Sequence, residues 1–208
     1  MDSPFLRPDD RDYAEILTDA TIHVLGAQGV DRWSVRAVAR WMKVTPAAVL
    51  NDYSRRRVLE IVIICFERRW LAWAAAETMY GPSPTDTPLR LPATPDEHLG
   101  VRVLSSLQLL AESERLRGNP APAVHLGRLR KEEQVLLRHR VSLLAERLGT
   151  PMPAEEAVTA TLALVTGLRL ALADPSPAIT YPVACELLMH HVARLLEGAG
   201  SEGSRIAS

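Results

Sequence analysis

The sequence predicts an all-α protein of about nine helices, in which a head of three short helices precedes a larger helical domain. Apolar residues recur at helical spacing through most of the 208 residues, and no alternating strand pattern persists. Breaks containing proline and glycine separate the periodic segments. The predicted domains are 1–54 and 55–198, followed by a flexible tail at 199–208.

Three short helices account for the predicted head. The first ends at Gly29, a residue type that commonly follows the last turn of a helix. Ser34 is a good N-cap for the second helix. Thr45 caps the third, with Pro46 at the first position, where its missing N–H costs nothing. The third helix ends near Tyr53.

Longer helices make up the rest of the chain. An almost continuous apolar run near the start of a helix at about 55–79 indicates burial on several sides. A proline-rich loop at 81–95 comes next. Further helices are predicted at about 95–117, 121–148, 153–173 and 180–197.

Composition favours a cytoplasmic protein without membrane contact. The chain is 47% hydrophobic, but charged residues interrupt its apolar runs before the roughly 18 residues that a membrane helix needs. The N-terminus does not show the basic and then apolar pattern of a signal peptide. Cys65 and Cys185 lie in separate apolar segments, as small buried hydrophobes in a reducing compartment do.

Charge is distributed unevenly along the sequence. The formal net charge is −1, which argues against a generally basic protein. Residues 32–57, however, hold seven basic residues and one acidic residue, a net charge of +6, so the remainder carries −7. A nucleic-acid-binding head on an acidic body has this asymmetry.

The basic stretch also has the layout of a helix-turn-helix. Apolar Val35 and Val38 precede a short break, and Val49 and Tyr53 follow it. Ala39 provides a small residue where the two helices cross, although alanine is also simply a good helix former. In such a motif the second helix enters the major groove of DNA.

Positions spread over residues 12–60 recur together in one known family. They are Ile16, Leu17, Ala20, Gly29, the run 34–39, Val44, Thr45, Ala48, Val49, Tyr53, Arg56 and Leu59. With this spacing the stretch resembles the tetracycline-repressor (TetR) family of bacterial transcriptional regulators. The helix layout after residue 60, including the segment 167–175, is also similar to the family. The resemblance implies a homodimer that binds palindromic operator DNA and responds to a small-molecule effector.

Four residues depart from the family pattern on the DNA-reading side. Lys43 stands where glycine is usual, and Leu50 replaces the usual tyrosine. Asn51 and Asp52 follow, and an aspartate facing DNA would repel phosphate. These departures support an alternative, in which the chain is an all-α small-molecule-binding dimer whose head has lost specific operator recognition.

Nine residues are candidates for DNA contact. Thr45 can bond phosphate or a base edge besides capping its helix, and Asn51 can bond adenine or remain a solvated surface residue. Arg56 matches the basic position that contacts phosphate in the family. The full set is Ser34, Arg36, Thr45, Pro46, Ala47, Leu50, Asn51, Tyr53 and Arg56.

Dimerisation is expected because one short helix contacts too few bases to select a site within a genome. Apolar stripes on the last two helices are candidate faces for a four-helix bundle with a partner, or else core within one chain. They are Val158, Leu162, Val165 and Leu172 on one helix, and Val183, Leu187, His191 and Leu195 on the other.

The effector is expected to be mostly apolar and to lie among the central helices, as the resemblance implies. Candidate lining residues are Phe66, Trp70, Trp73, Leu107, Leu110, Thr166 and Arg169, each of which is alternatively plain core. An arginine on an apolar helix needs an anion, and a nearby glutamate, or exposure of the side chain to solvent, is a simpler explanation than an effector.

Motifs for catalysis and metal binding are missing from the sequence. It contains no glycine-rich phosphate loop, no HExxH, no CxxC and no nucleophile signature. We therefore expect neither an enzyme nor a bound metal or cofactor.

Overall fold

The computed structural model describes residues 11–75 and 90–206, with side chains described for 13–51, 53–74 and 90–197. Within these ranges the chain forms eight α-helices, one turn of 3-10 helix at Val30–Arg32, and no strand, which confirms the predicted all-α class. The helices are α1 Arg11–Gln28, α2 Val35–Trp41, α3 Pro46–Asp52, α4 Arg55–Ala75, α5 Pro95–Leu116, α6 Ala121–Leu148, α7 Glu155–Ala173 and α8 Tyr181–Ile206.

The predicted ends of the head helices are confirmed. Gly29 follows α1 with a φ of 75°. The hydroxyl oxygen of Ser34 accepts a hydrogen bond at 3.2 Å from the backbone N–H three residues later, and that of Thr45 does the same. Pro46 is the first residue of α3. Short-range chemistry therefore sets the limits of these helices.

The three head helices pack through fully buried small and branched side chains. α1 packs against α2, and α2 packs against α3. Leu17, Val38, Ala39 and Val49 are each fully buried. Ala39 therefore lies in the core of the head, where a helix-turn-helix needs a small residue.

The long helix α4 begins where the sequence predicts. Ser54 caps it by accepting a hydrogen bond from the N–H of Arg57 at 3.3 Å. Ile61, Val62 and Ile63 are all buried, so successive faces of the helix are covered, as the apolar run indicates. The last part of its predicted range, 76–79, lies outside the described residues, as does most of the predicted proline-rich loop.

The chain divides into two compact units. The first comprises Met1–Trp70 and Arg102–Leu129, and the second comprises Leu71–Val101 and Arg130–Ser208. The head thus clusters with most of α4, with most of α5 and with the start of α6. The predicted boundary at residue 54 stays a prediction.

The core of the second unit involves α6, α7 and α8, with α7 packed against α8. Its buried residues include the predicted stripe of α7, whereas α8 contributes Ala184, Leu188, Val192 and Leu196 instead of its predicted stripe. The apolar members are Leu91, Leu137, Val141, Ala145, Val158, Leu162, Val165, Leu168, Leu172, Ala184, Leu188, Val192 and Leu196.

One described helix, α7, has the length and composition of a membrane span, with a mean hydropathy of 1.4. This corrects the expectation that charged residues would prevent such a match. In this structure Leu162, Val165 and Leu172 of α7 are buried, and its Arg169 is ion-paired. A buried core helix of a globular domain has the same features.

The C-terminal helix is longer than expected. α8 continues to Ile206, past residue 199, where the sequence predicts a flexible tail. Side chains from 198 onwards lie outside those described.

Candidate nucleic-acid interface

The surface of α3 is the strongest candidate for contact with a macromolecule. Val49 is fully buried and anchors this short helix on the head. The remaining described side chains of α3 are exposed: Pro46, Ala47, Ala48, Leu50 and Asn51. A helix held from one side presents its opposite face to solvent, as a DNA-reading helix must.

The turn before α3 adopts the backbone conformation in which glycine is favoured. Lys43 has a φ of 58°, and no other non-glycine residue in the described chain has a positive φ. The N–H of Val44 donates to the carbonyl oxygen of Ala39 at 3.0 Å and closes the turn. The lysine therefore keeps the turn geometry at a cost of about 1 kcal/mol relative to glycine.

Basic side chains around this turn are available to an anionic partner. Arg32, Arg36, Arg40 and Lys43 are exposed, and none has an ion-pair partner among the described residues. Exposed cations of this kind attract the phosphate backbone of DNA.

The side-chain hydroxyls of the two predicted N-cap residues both form capping hydrogen bonds. Ser34 is half-buried and Thr45 is exposed, and each hydroxyl accepts a backbone N–H within its own helix. The capping role is therefore present at both positions. It leaves the donor hydrogen of the exposed Thr45 hydroxyl available for a phosphate oxygen.

Two further predicted residues, Tyr53 and Arg56, lie between the end of α3 and the first turn of α4. The ring of Tyr53 stacks on that of Tyr13, with centroids 6.0 Å apart. The guanidinium of Arg55 lies 5.5 Å from the ring centre of buried Trp33. The Arg56 side chain is 60% exposed, so it can contact DNA next to α3. The side chain of Asp52 lies outside those described.

A clamp that the sequence did not predict links α1 to α4. Arg69 donates to Glu15, and its Nη1 donates to Asp19 at 2.6 Å. Burial alone lowers the pKa of Arg69, but the hydrogen bonds and charges of the two acids more than offset this and raise the pKa above its ordinary value. Arg69 is 54 and 50 positions away from Glu15 and Asp19 in the sequence, so no local spacing reveals the clamp.

Four of the predicted effector-site residues belong to the first unit. Phe66, Trp70 and Leu107 are buried, and Leu110 is half-buried. The rings of Phe66 and Trp70 lie 5.9 Å apart. Their assignment to an effector site stays a prediction.

The other three predicted effector-site residues belong to the second unit. The buried guanidinium of Arg169 lies 5.4 Å from the ring centre of half-buried Trp73. Its Nη1 donates to Glu133 at 2.7 Å, which confirms that a nearby glutamate supplies the anion. Thr166 is exposed, and its hydroxyl donates to the carbonyl oxygen of Leu162.

Glu97 connects several parts of the second unit and was missed by the sequence analysis. Its carboxylate accepts hydrogen bonds from the indole of Trp73 at 3.1 Å, from Arg90, and from the backbone N–H groups of Ala93 and Thr94. Its own N–H donates to the Thr94 hydroxyl, which completes a capping box. The pattern Thr-x-x-Glu before an apolar helix is a signal by which it could have been found.

The same contacts set the charge state of Glu97. Burial by itself raises the pKa of this carboxyl. The hydrogen bonds from Ala93, Trp73 and Arg90 outweigh that effect, so the pKa of Glu97 lies below its usual value of 4.5. The carboxylate is therefore held in its charged form.

An open depression of about 330 Å³ lies on the second unit. Its lining is mostly apolar and consists of Leu71 from α4 and Glu132, Val135 and Leu136 from α6. None of the predicted effector-site residues is among these lining residues.

The predicted dimer stripes differ in exposure. Val158, Leu162, Val165 and Leu172 on α7 are buried within the single chain, so the structure favours the alternative that these four are intrachain core. On α8, Val183 and Leu187 are exposed. His191 is half-buried and within 3.0 Å of the Thr161 hydroxyl, and Leu195 is half-buried. The exposed apolar residue of α7 is instead Leu170.

No protein-family model and no curated protein matches this chain. Solved structures do match it over nearly their full length. A transcriptional regulator from Rhodococcus sp. Rha1 has 25% identity and a TM-score of 0.68, with 90% of this chain and 97% of that one covered.

Two further structures have the same fold. A protein from Rhodococcus sp. described as a TetR-family transcriptional regulator has 17% identity and a TM-score of 0.66, with coverage of 89% and 99%. A protein from Pseudomonas aeruginosa PAO1 described as a transcriptional regulator has 20% identity and a TM-score of 0.63, with coverage of 95% and 96%. The predicted resemblance to the TetR family is confirmed in the fold.

Proposed function

We propose that this chain is a DNA-binding transcriptional regulator, a repressor that binds a palindromic operator as a homodimer and is controlled by a small molecule. The observation that carries the proposal is the exposed surface of α3, which buried Val49 anchors close in sequence to exposed basic side chains that have no ion-pair partner among the described residues. The structural neighbours, which are described as transcriptional regulators, support the same class.

Two copies of the head are needed for useful specificity, because one short helix reads only a few base pairs. Exposed apolar residues on the last two helices support an interface there. Leu170, Val183 and Leu187 are 49%, 43% and 48% exposed, so these two helices offer apolar surface that a partner subunit can cover.

The effector is proposed to be a mostly apolar molecule bound within the second unit. There Trp73 supplies aromatic surface, and Arg169 supplies a cation already paired with Glu133. The effector would act by binding more tightly to a state whose heads are misplaced for the operator. We propose no enzymatic role.

The second candidate is a small-molecule-binding dimer whose head has lost operator recognition. The strain at Lys43 favours it, since the turn keeps a left-handed residue that is not glycine. The exposed Leu50 favours it as well, because it presents no hydroxyl to a phosphate.

Binding to labelled duplex DNA from the region upstream of the gene tests the first candidate against the second. Fluorescence anisotropy at low salt should show binding that excess unrelated DNA does not abolish. Val49→Asp removes the buried anchor of α3 and should abolish that specific binding, whereas Ala48→Ser on the exposed side of α3 should keep it. Binding that unrelated DNA competes away fully would support the second candidate.

A further inference from the structure

The predicted phosphate contact Arg56 lies near an acidic residue from a distant part of the first unit. The Nε of Arg56, at the start of α4, is 4.0 Å from Oε2 of Glu114, in the last turn of α5. Glu114 is 8% exposed, whereas the Arg56 side chain is 60% exposed. A largely buried carboxylate thus faces an arginine that projects into solvent.

Glu114 is held in place by the turn that ends α5. Its backbone carbonyl oxygen accepts the N–H groups of Arg117 and Asn119, at 3.0 and 2.9 Å. Gly118 between them has a φ of 82°, which makes this chain reversal possible. The carboxylate therefore approaches Arg56 from a fixed backbone rather than from a flexible loop.

The charge of Glu114 needs compensation. It is an acid at the C-terminal end of a helix, where the helix dipole is already negative. Nη1 of Arg117 lies 3.1 Å from Oε1, and Arg56 faces Oε2, so two cations share one carboxylate. DNA that binds Arg56 must draw this cation away from an acid that is stabilised by it.

We propose that Glu114 is a counter-charge that competes with a DNA phosphate for Arg56 and so limits the affinity of the protein for DNA. The inference rests on the proposed function, because it needs Arg56 to meet phosphate. It also ties DNA affinity to the geometry of the α5–α6 turn, which positions Glu114.

The test compares two charge-removing substitutions on α5 in the full chain. Glu114→Gln should raise the affinity for duplex DNA about two- to fivefold, the range expected for releasing a partly exposed ion pair. It should also steepen the dependence of log affinity on log salt, by less than the value of about 0.9 for one whole phosphate, because Arg56 already meets that phosphate in the wild type. In an Arg56→Ala background the same substitution should have no effect.

Glu112→Gln is the matched control, because Glu112 is exposed, lies two residues earlier on α5 and pairs with Arg115 at 2.6 Å. It removes the same charge without touching Arg56 and should change the affinity less. Glu114→Asp keeps the charge but shortens the reach, so it should also raise the affinity. This variant provides the test if Glu114→Gln does not fold.

Equal effects of Glu114→Gln and Glu112→Gln, a fall in affinity, or an effect that persists without Arg56 would overturn the inference and leave the proposed function intact. Failure of the wild-type protein to bind any duplex at low salt would overturn both.

Discussion

Arg169 on α7 and Glu133 on α6 form a buried ion pair, with Nη1 and Oε1 2.7 Å apart. Their side chains are 5% and 11% exposed. The Nε of Arg169 also donates to the carbonyl oxygen of Arg90 at 3.1 Å, next to the start of α5. One arginine thus holds together two helices and the segment that precedes α5.

Removing either charge of this pair should destabilise the protein strongly. Arg169→Met leaves Glu133 charged and buried, and the expected loss in the free energy of unfolding is about 3–5 kcal/mol. The double variant with Glu133→Leu should lose less than Arg169→Met alone, since no buried charge then remains. Urea titration followed by circular dichroism measures both, and a double variant less stable than the single one would contradict this account.

Lys43→Gly should stabilise the protein by about 1 kcal/mol, because glycine adopts a φ of 58° without the steric penalty of a side chain. Lys43→Ala removes the same charge and keeps the strain, so it should leave the stability unchanged. If the alanine variant gained as much as the glycine variant in urea denaturation, the effect would come from charge and not from the backbone.

The parts of this fold that sequence could predict depend on neighbours in the chain. The cap at Ser34, the cap at Thr45 and the helix end at Gly29 each involve groups within about four residues, and all three are confirmed. The family pattern has glycine at position 43, and the positive φ of Lys43 is the backbone conformation that glycine favours.

Contacts between residues far apart in the chain could not be predicted from the sequence. α7 is apolar on most sides, so spacing alone did not show that the Val158–Leu172 stripe faces the core and Leu170 faces solvent. Glu114 carries no local signal at all, since its partner Arg56 is 58 positions away and on another helix.

Glu97→Gln should lower the stability of the folded protein, and the loss should be largest at neutral pH. The pKa of Glu97 is lowered in the folded protein, so its charged form contributes stability above the unfolded value, near 4.5, and loses it as the pH falls through the folded value. Glutamine keeps the capping box but loses the charge-assisted bonds, an expected cost of about 1–2 kcal/mol at pH 7.

Thermal unfolding of the wild type and the Glu97→Gln variant from pH 7 to pH 3 measures this difference. It should shrink as the pH drops below about 4.5, because the wild-type carboxylate becomes protonated. A difference that stayed constant over this range would show that the carboxylate charge does not matter.

Arg69→Ala should loosen α1 from α4. Arg69 contacts both Glu15 and Asp19, but its side chain is 37% exposed, so after screening by solvent the expected loss is about 0.5–1 kcal/mol. Hydrogen exchange of the α1 amides should quicken, and the effect should shrink in high salt. Arg68→Ala is the control, because Arg68 lies 3.8 Å from Glu15 and is more exposed. If both variants quickened hydrogen exchange equally, Arg69 would contribute no more than Arg68 to the packing of α1 on α4.

Arg56→Ala and Asn51→Ala should weaken DNA binding in different ways. Arg56 is positioned to meet phosphate, so its loss should lower affinity for all duplexes alike and reduce the salt slope by about 0.9. Exposed Asn51 on α3 is suited to an adenine edge, so its loss should cost about 1–3 kcal/mol on the preferred site and leave unrelated DNA unaffected. Anisotropy titrations on matched specific and unrelated duplexes, repeated at several salt concentrations, separate the two. An unchanged salt slope in Arg56→Ala would exclude the phosphate contact, because a neutralised phosphate must release counterions whatever the base sequence.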